Sequence, residues 1–251
     1  MRVFPALVFG LSLVCGAVPA TAAPPTTATT SPAAEAGGET RVILGWTLHV
    51  CRELATWEPR STARALELLE VQLREIVRVV PPAAVARLRQ VPLYFSPEYP
   101  GIKPRAEFHP DAGWLREHGR DPAMAGAVEF TNLRIFEREC NRMPCFVLHE
   151  LAHAYHDLAL PDGFRNREVA AAYERARAGG RYDRVERWNG NGEPNTFERA
   201  YAMTNVQEYF AENTEAFFGR NDFQPFTREE LQKSDPEMCA LLAKLWGVAR
   251  R

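Results

Sequence analysis

An excess of charge of either sign is missing from this sequence. Lys and Arg total 30 against 32 Asp and Glu over 251 residues, a net charge of −2. That balance leaves no electrostatic footprint for nucleic acid or for an anionic membrane surface. The one arginine-rich segment, Glu174 to Arg184, carries its own compensating acids and reads as a solvated face. No internal repeat is visible, which sets aside solenoids and propellers. Long apolar runs are almost absent too: after the run Val3 to Val18, none is long enough to span a bilayer. That first run follows Arg2 and precedes the small-residue pattern Ala20-Thr21-Ala22. This is the layout of a secretory signal peptide over residues 1–22, and it predicts a protein that acts outside the cytoplasm.

Cysteines are few. Cys15 falls within the signal segment, and Val14 occupies a place where a lipid-attachment signal wants a small residue. Four remain: Cys51, Cys140, Cys145 and Cys239. An even number in an oxidising compartment predicts disulfides, with three pairings open. Cys140 with Cys145 closes a short loop and leaves Cys51 and Cys239 to tie the ends of the domain.

What is present is enough apolar residue, 46%, to bury a core for one domain over residues 40–251. Residues 23–39 are Thr, Ala, Pro and Ser with almost nothing large and apolar, so they predict a linker that cannot offset its own ordering entropy. Alternation predicts strands over 41–50, 91–95 and 127–132. Between the first two, Leu66, Leu69, Leu73, Ile76, Val77 and Val80 recur at helical spacing, with Ser61 as a cap and Pro81-Pro82 as the stop. Further helices are expected over 167–177, after Thr227, and from Asp235-Pro236 onward.

The chemistry lies in the stretch Cys145 to Asp157, which contains His149-Glu150-x-x-His153. On a helix, residues four apart share a face, so both imidazoles can grip one metal ion with Glu150 beside them. Two imidazoles suit zinc. A third ligand must come from elsewhere, and a catalytic site keeps its fourth position open. The flanking Val147, Leu148, Leu151 and Ala152 would bury such a helix. His49, His109 and His118 have no ligand spacing. The alternative for the motif is a pair of satisfied core histidines.

A second stretch runs from Tyr201 to Phe218. Thr204 or Asn205 can cap a helix there, on which Glu208, Glu212 and Glu215 form one acidic stripe. A buried cation would call for such carboxylates, whereas a plain capping box would send Glu208 back to Asn205.

With these two stretches in view, the chain resembles the gluzincins, zinc metallopeptidases whose third ligand is a glutamate. Tyr201-x-x-Thr204-Asn205-x-x-Glu208-Tyr209-Phe210-Ala211-Glu212 is similar to the corresponding part of the anthrax lethal factor catalytic domain. The rest, from Gly45-Trp46 to Asn221-Asp222-Phe223, resembles a group of secreted metallopeptidases. The resemblance implies an α+β, zincin-like fold of two lobes, a small N-terminal sheet and helix lobe and a mainly helical C-terminal lobe. It implies zinc on His149, His153 and Glu208, with Glu150 as general base. It also implies that Tyr201 donates to an oxyanion, that Glu212 hydrogen-bonds the outer nitrogen of a liganding histidine, and that the substrate is a peptide or protein. The chain departs from the metzincins, with His156 where they need Gly and Ala159 where they place a third histidine. The competing expectation is a zinc-bearing binding or inhibitory module without peptidase activity.

Overall fold

The structure is a computed structural model that describes residues 38–249. The expected signal segment and most of the expected linker lie outside the described residues. The linker's end needs correction, because Glu39 already belongs to the first strand.

β1 (Glu39–Ile43) and β2 (Trp46–Val50) form an antiparallel hairpin in the region whose alternation predicts a single strand. Leu44 and Gly45 both take positive φ, 51° and 96°, as a two-residue hairpin turn requires. The turn pairs Ile43 with Trp46 and so switches the parity of the inward face, which leaves Val42 on the face opposite Trp46 and Leu48 although the apolar alternation runs through all three in sequence. Trp46, Leu48 and Val50 enter the core, while Val42 is 73% exposed on an edge strand. After α1 (Arg52–Trp57), α2 (Pro59–Val79) starts two residues before the expected Ser61 cap. Pro59 supplies a pre-set φ at the first helical position. Ala65, Leu69, Leu73 and Ile76 form its buried stripe, and Pro81-Pro82 end it and open α3 (Pro82–Leu88).

β3 (Leu93–Phe95), β4 (Ala106–His109), α4 (Ala112–Glu117) and β5 (Ala127–Phe130) complete the sheet side, with strand order β1-β2-β3-β5-β4. The three inner strands run parallel, and β1 and β4 pair antiparallel at the two edges. The predicted strand over 127–132 is therefore interior and buried along its length. The edge that matters for the site is β4, which the surrounding Pro, Gly and His residues conceal in the sequence.

α5 (Phe136–Arg142) leads into α6 (Phe146–Ala159), which carries the His-Glu-x-x-His motif. Ten of its fourteen residues are buried, so it is a central helix with neighbours on every side. α7 (Arg167–Ala178), capped by Asn166, matches its expected range. β6 (Val185–Arg187) and β7 (Thr196–Glu198) form a small hairpin where no pattern predicts one. α8 (Val206–Phe218), α9 (Arg228–Ser234) and α10 (Pro236–Leu245) follow. The architecture is mixed helix and sheet, with the small sheet first and helices dominating afterwards, in keeping with the α+β class. Among the described residues no helix is long and apolar enough to cross a membrane.

The disulfide expectation is overturned: Cys51, Cys140, Cys145 and Cys239 are all free thiols. Three of the four have polar neighbours. Cys140 Sγ accepts from Gln72 and Cys145 Sγ from the Arg220 backbone N–H, while Cys51 Sγ faces Glu53 Oε2 at 2.7 Å. Burial pushes the Cys145 thiol up to about 12, which removes it as a nucleophile.

Candidate metal centre

α6 packs against α8 and against β4, and the motif's side chains emerge where the three meet. Asn205 caps α8 by accepting the Glu208 backbone N–H at 2.9 Å. The Glu208 carboxylate does not return the bond as a capping box would. It crosses instead to α6, where Oε2 lies 3.1 Å from His149 Nε2 and 3.3 Å from His153 Nε2. The two Nε2 atoms are themselves 3.1 Å apart. The helical spacing of four residues brings the imidazoles together, and the packing of α8 on α6 brings in the carboxylate from more than fifty residues away.

This triangle suits zinc. Bonds of about 2.0–2.1 Å at tetrahedral angles separate ligand atoms by about 3.3–3.4 Å, close to the edges found. Two imidazole nitrogens facing each other beside a carboxylate oxygen leave lone pairs that only a proton or a metal ion can satisfy. The titration behaviour has the same origin. Burial works against charge on His149, yet Glu208 and Glu215 outweigh it and raise the ring well above its ordinary value. Burial likewise pushes Glu208 up, but hydrogen bonds from both imidazoles hold it well below the usual carboxylate range. The cluster therefore draws positive charge.

The outer nitrogen of His149 requires a correction. Its Nδ1 meets Glu215 Oε1 at 2.7 Å, whereas Glu212 Oε1 stands 3.8 Å away and the other Glu212 oxygen accepts from Asn221. Glu215 follows Glu208 by seven residues, two turns on the same stripe, so one helix face reaches both nitrogens of the ring. This contact fixes the tautomer that leaves Nε2 free as a ligand. Glu212, Glu215 and Asp222 are all buried. Burial pushes Glu215 up to about 7 and Glu212 well above its ordinary value, with Asp222 adding repulsion. Arg142 and Arg187 face Asp222 Oδ2 at 3.5 and 3.6 Å and offset this buried negative charge.

Glu150 lies beside the triangle, and its Oε2 accepts the Phe108 backbone N–H of β4 at 2.9 Å. Burial raises its pKa, opposed by His149 and His153. Hydrogen bonds to Arg105 and His109 alternate along β4 on the β5 side. Ala106 and Phe108 therefore aim their backbone groups away from the sheet, toward the cleft. Tyr201 begins the 3₁₀ turn Tyr201–Met203 just before α8 and is 46% exposed. It shares a cleft of about 430 Å³ with His149, Glu150, His153 and Glu208. Burial and the Glu208 carboxylate raise its hydroxyl pKa, keeping it a donor.

His156 does not join the triangle. It is fully buried, its ring packs on Phe164 and Phe210, and neither ring nitrogen has a hydrogen-bond partner. His109 is engaged by Glu129 at 2.9 Å. Sequence reasoning misses Arg142, Arg187 and Asp222, which carry no local signal, and assigns Glu215 no role although its place in the acidic stripe was a usable clue. Compared with known proteins, the chain matches no family model, no curated protein and no solved structure.

Proposed function

We propose that the protein is a zinc-dependent peptidase of gluzincin type with a zincin-like fold, acting outside the cytoplasm on peptides or proteins. The observation that carries this reading is the convergence of His149, His153 and Glu208 into a triangle with edges of 3.1–3.3 Å, beside a carboxylate and a sheet edge. A zinc ion held by these three residues would supply electrophilic activation of a water molecule and of a scissile carbonyl.

The chain's own groups account for the remaining steps. A peptide entering the cleft in extended form can pair with the outward backbone groups of Ala106 and with the Phe108 carbonyl, which sets its register. Glu150, whose pKa burial raises from its ordinary value, takes the proton of the attacking water and passes it to the departing amine. The Phe108 N–H holds that carboxylate in place. Tyr201 donates its hydroxyl to the oxygen on which negative charge develops. Glu215 keeps His149 oriented throughout.

The test is peptide hydrolysis by the wild type and by Glu150→Gln, read against an unbiased peptide library together with metal content. The variant is expected to keep its zinc and to lose at least about 10²-fold in turnover. Undiminished turnover would remove Glu150 from the mechanism. Full zinc occupancy in a wild type that cuts nothing would favour a binding module instead.

A further inference from the structure

Outside the cleft, the described residues form a second hollow of about 390 Å³ with a different character. Arg181, Arg184 and Lys233 surround it, and Tyr182 and Val185 also line it. Its one lining carboxylate is Glu230, whose Oε2 already accepts the Phe226 backbone N–H at 2.9 Å. The three cations are not equally committed. Arg181 faces Asp235 at 3.1 Å. Lys233 meets Glu229 across open surface, with both side chains more than 70% exposed, a pairing that holds weakly and yields to a competing anion. Arg184 lies over the Phe197 ring and has no carboxylate partner among the described residues. A concave cluster of cations on a chain of net charge −2 is a local reversal of sign, and a hollow concentrates its field.

The position of the hollow gives it a use. Arg187 of β6 bridges antiparallel to Phe223, and the Gln224 N–H donates to Glu186 O at 2.9 Å, so β6 and residues 222–225 make a narrow ribbon. Arg187, Asp222 and Phe223 of that ribbon line the cleft, while Val185, Gln224 and Pro225 line the second hollow. The two concavities adjoin through one piece of backbone. A polypeptide leaving the cleft across this ribbon meets Arg184 and Lys233.

We propose that the second hollow is an exosite that holds an acidic segment of the polypeptide substrate through Arg184 and Lys233. The proposal rests on the peptidase reading for what the site serves, but its binding chemistry can be measured without catalysis. In the zinc-loaded Glu150→Gln protein, fluorescence anisotropy would follow a fluorescein-labelled peptide bearing a run of glutamates, and a control peptide with glutamines in their place. Adding Arg184→Glu and Lys233→Glu should weaken the glutamate peptide about tenfold or more at low salt and leave the glutamine peptide unchanged. The neutral pair Arg184→Gln and Lys233→Gln should give a smaller loss of the same kind, and thermal melts of all forms establish that they are folded. Equal affinity of the glutamate peptide before and after charge reversal overturns the proposal. So does displacement of the glutamate peptide by inorganic phosphate at equal carboxylate and phosphate concentration, which would mark a small-anion site. If wild type cleaves no peptide, the peptidase reading fails while the charge-reversal result still stands. If cleavage occurs and charge reversal changes nothing, only the exosite fails.

Discussion

Glu215 and Glu212 lie one helical turn apart, yet only Glu215 touches the His149 ring, at 2.7 Å. A carboxylate that orients a ligating imidazole typically contributes about 10–100-fold to metal affinity. Glu215→Gln should therefore weaken zinc binding about tenfold in competition with a chelating indicator, and Glu212→Gln should change it much less. The reverse order would return the role to Glu212. His156 makes a different point. Burial, with repulsion from His153, depresses its pKa from 6.5 to about 4. The unfolded chain takes up this proton below about 6.5 and the folded ring only near 4. Stability from the neutral ring is thus complete above 6.5 and lost as pH falls toward 4, at most about 3 kcal/mol. His156→Phe should flatten this acid-side loss in urea melts between neutral pH and pH 4.5. Parallel losses in the two proteins would show that the ring does not titrate this way.

At the scale of elements, α8 is aimed by its cap. Asn205 fixes the first turn, and that turn carries Glu208. Asn205→Ala should cost about 1 kcal/mol of stability and weaken zinc binding along with it, while Asn205→Asp should preserve both. Calorimetry and the same chelator competition check this. The helices were the legible part of the sequence because their periodicity is long. α2 itself is 21 residues long, and the motif of α6 declares itself in five. The strands were less so. The β1–β2 turn switches which positions face inward while the apolar residues go on alternating in sequence, and β4 has only four residues, too few for a period to register. The interior place of β5 depends on β4 pairing outside it, and no local pattern records a neighbour. The cysteines misled for the opposite reason, since an even count says nothing about which side chains meet.

For the molecule as a whole, the site belongs to no single element. α6 supplies two imidazoles, α8 the Glu208 and Glu215 carboxylates that meet them, β4 the edge, and β6 with residues 222–225 the wall that separates the cleft from the basic hollow. The motif on α6 was readable because helical spacing alone makes its geometry. In the sequence only resemblance points to Glu208 as the proposed third ligand, and it is the packing of α8 on α6 that brings its carboxylate to both imidazoles. Bound zinc would join these two helices, so metal content reports on the assembled site. Metal content measured by mass spectrometry on wild type and Glu208→Ala, purified identically, is the most direct test. About one zinc per wild-type chain is expected, with most of it lost in the variant while the fold, followed by circular dichroism, is kept. Equal zinc in the two proteins, or none in either, would contradict a centre built from His149, His153 and Glu208.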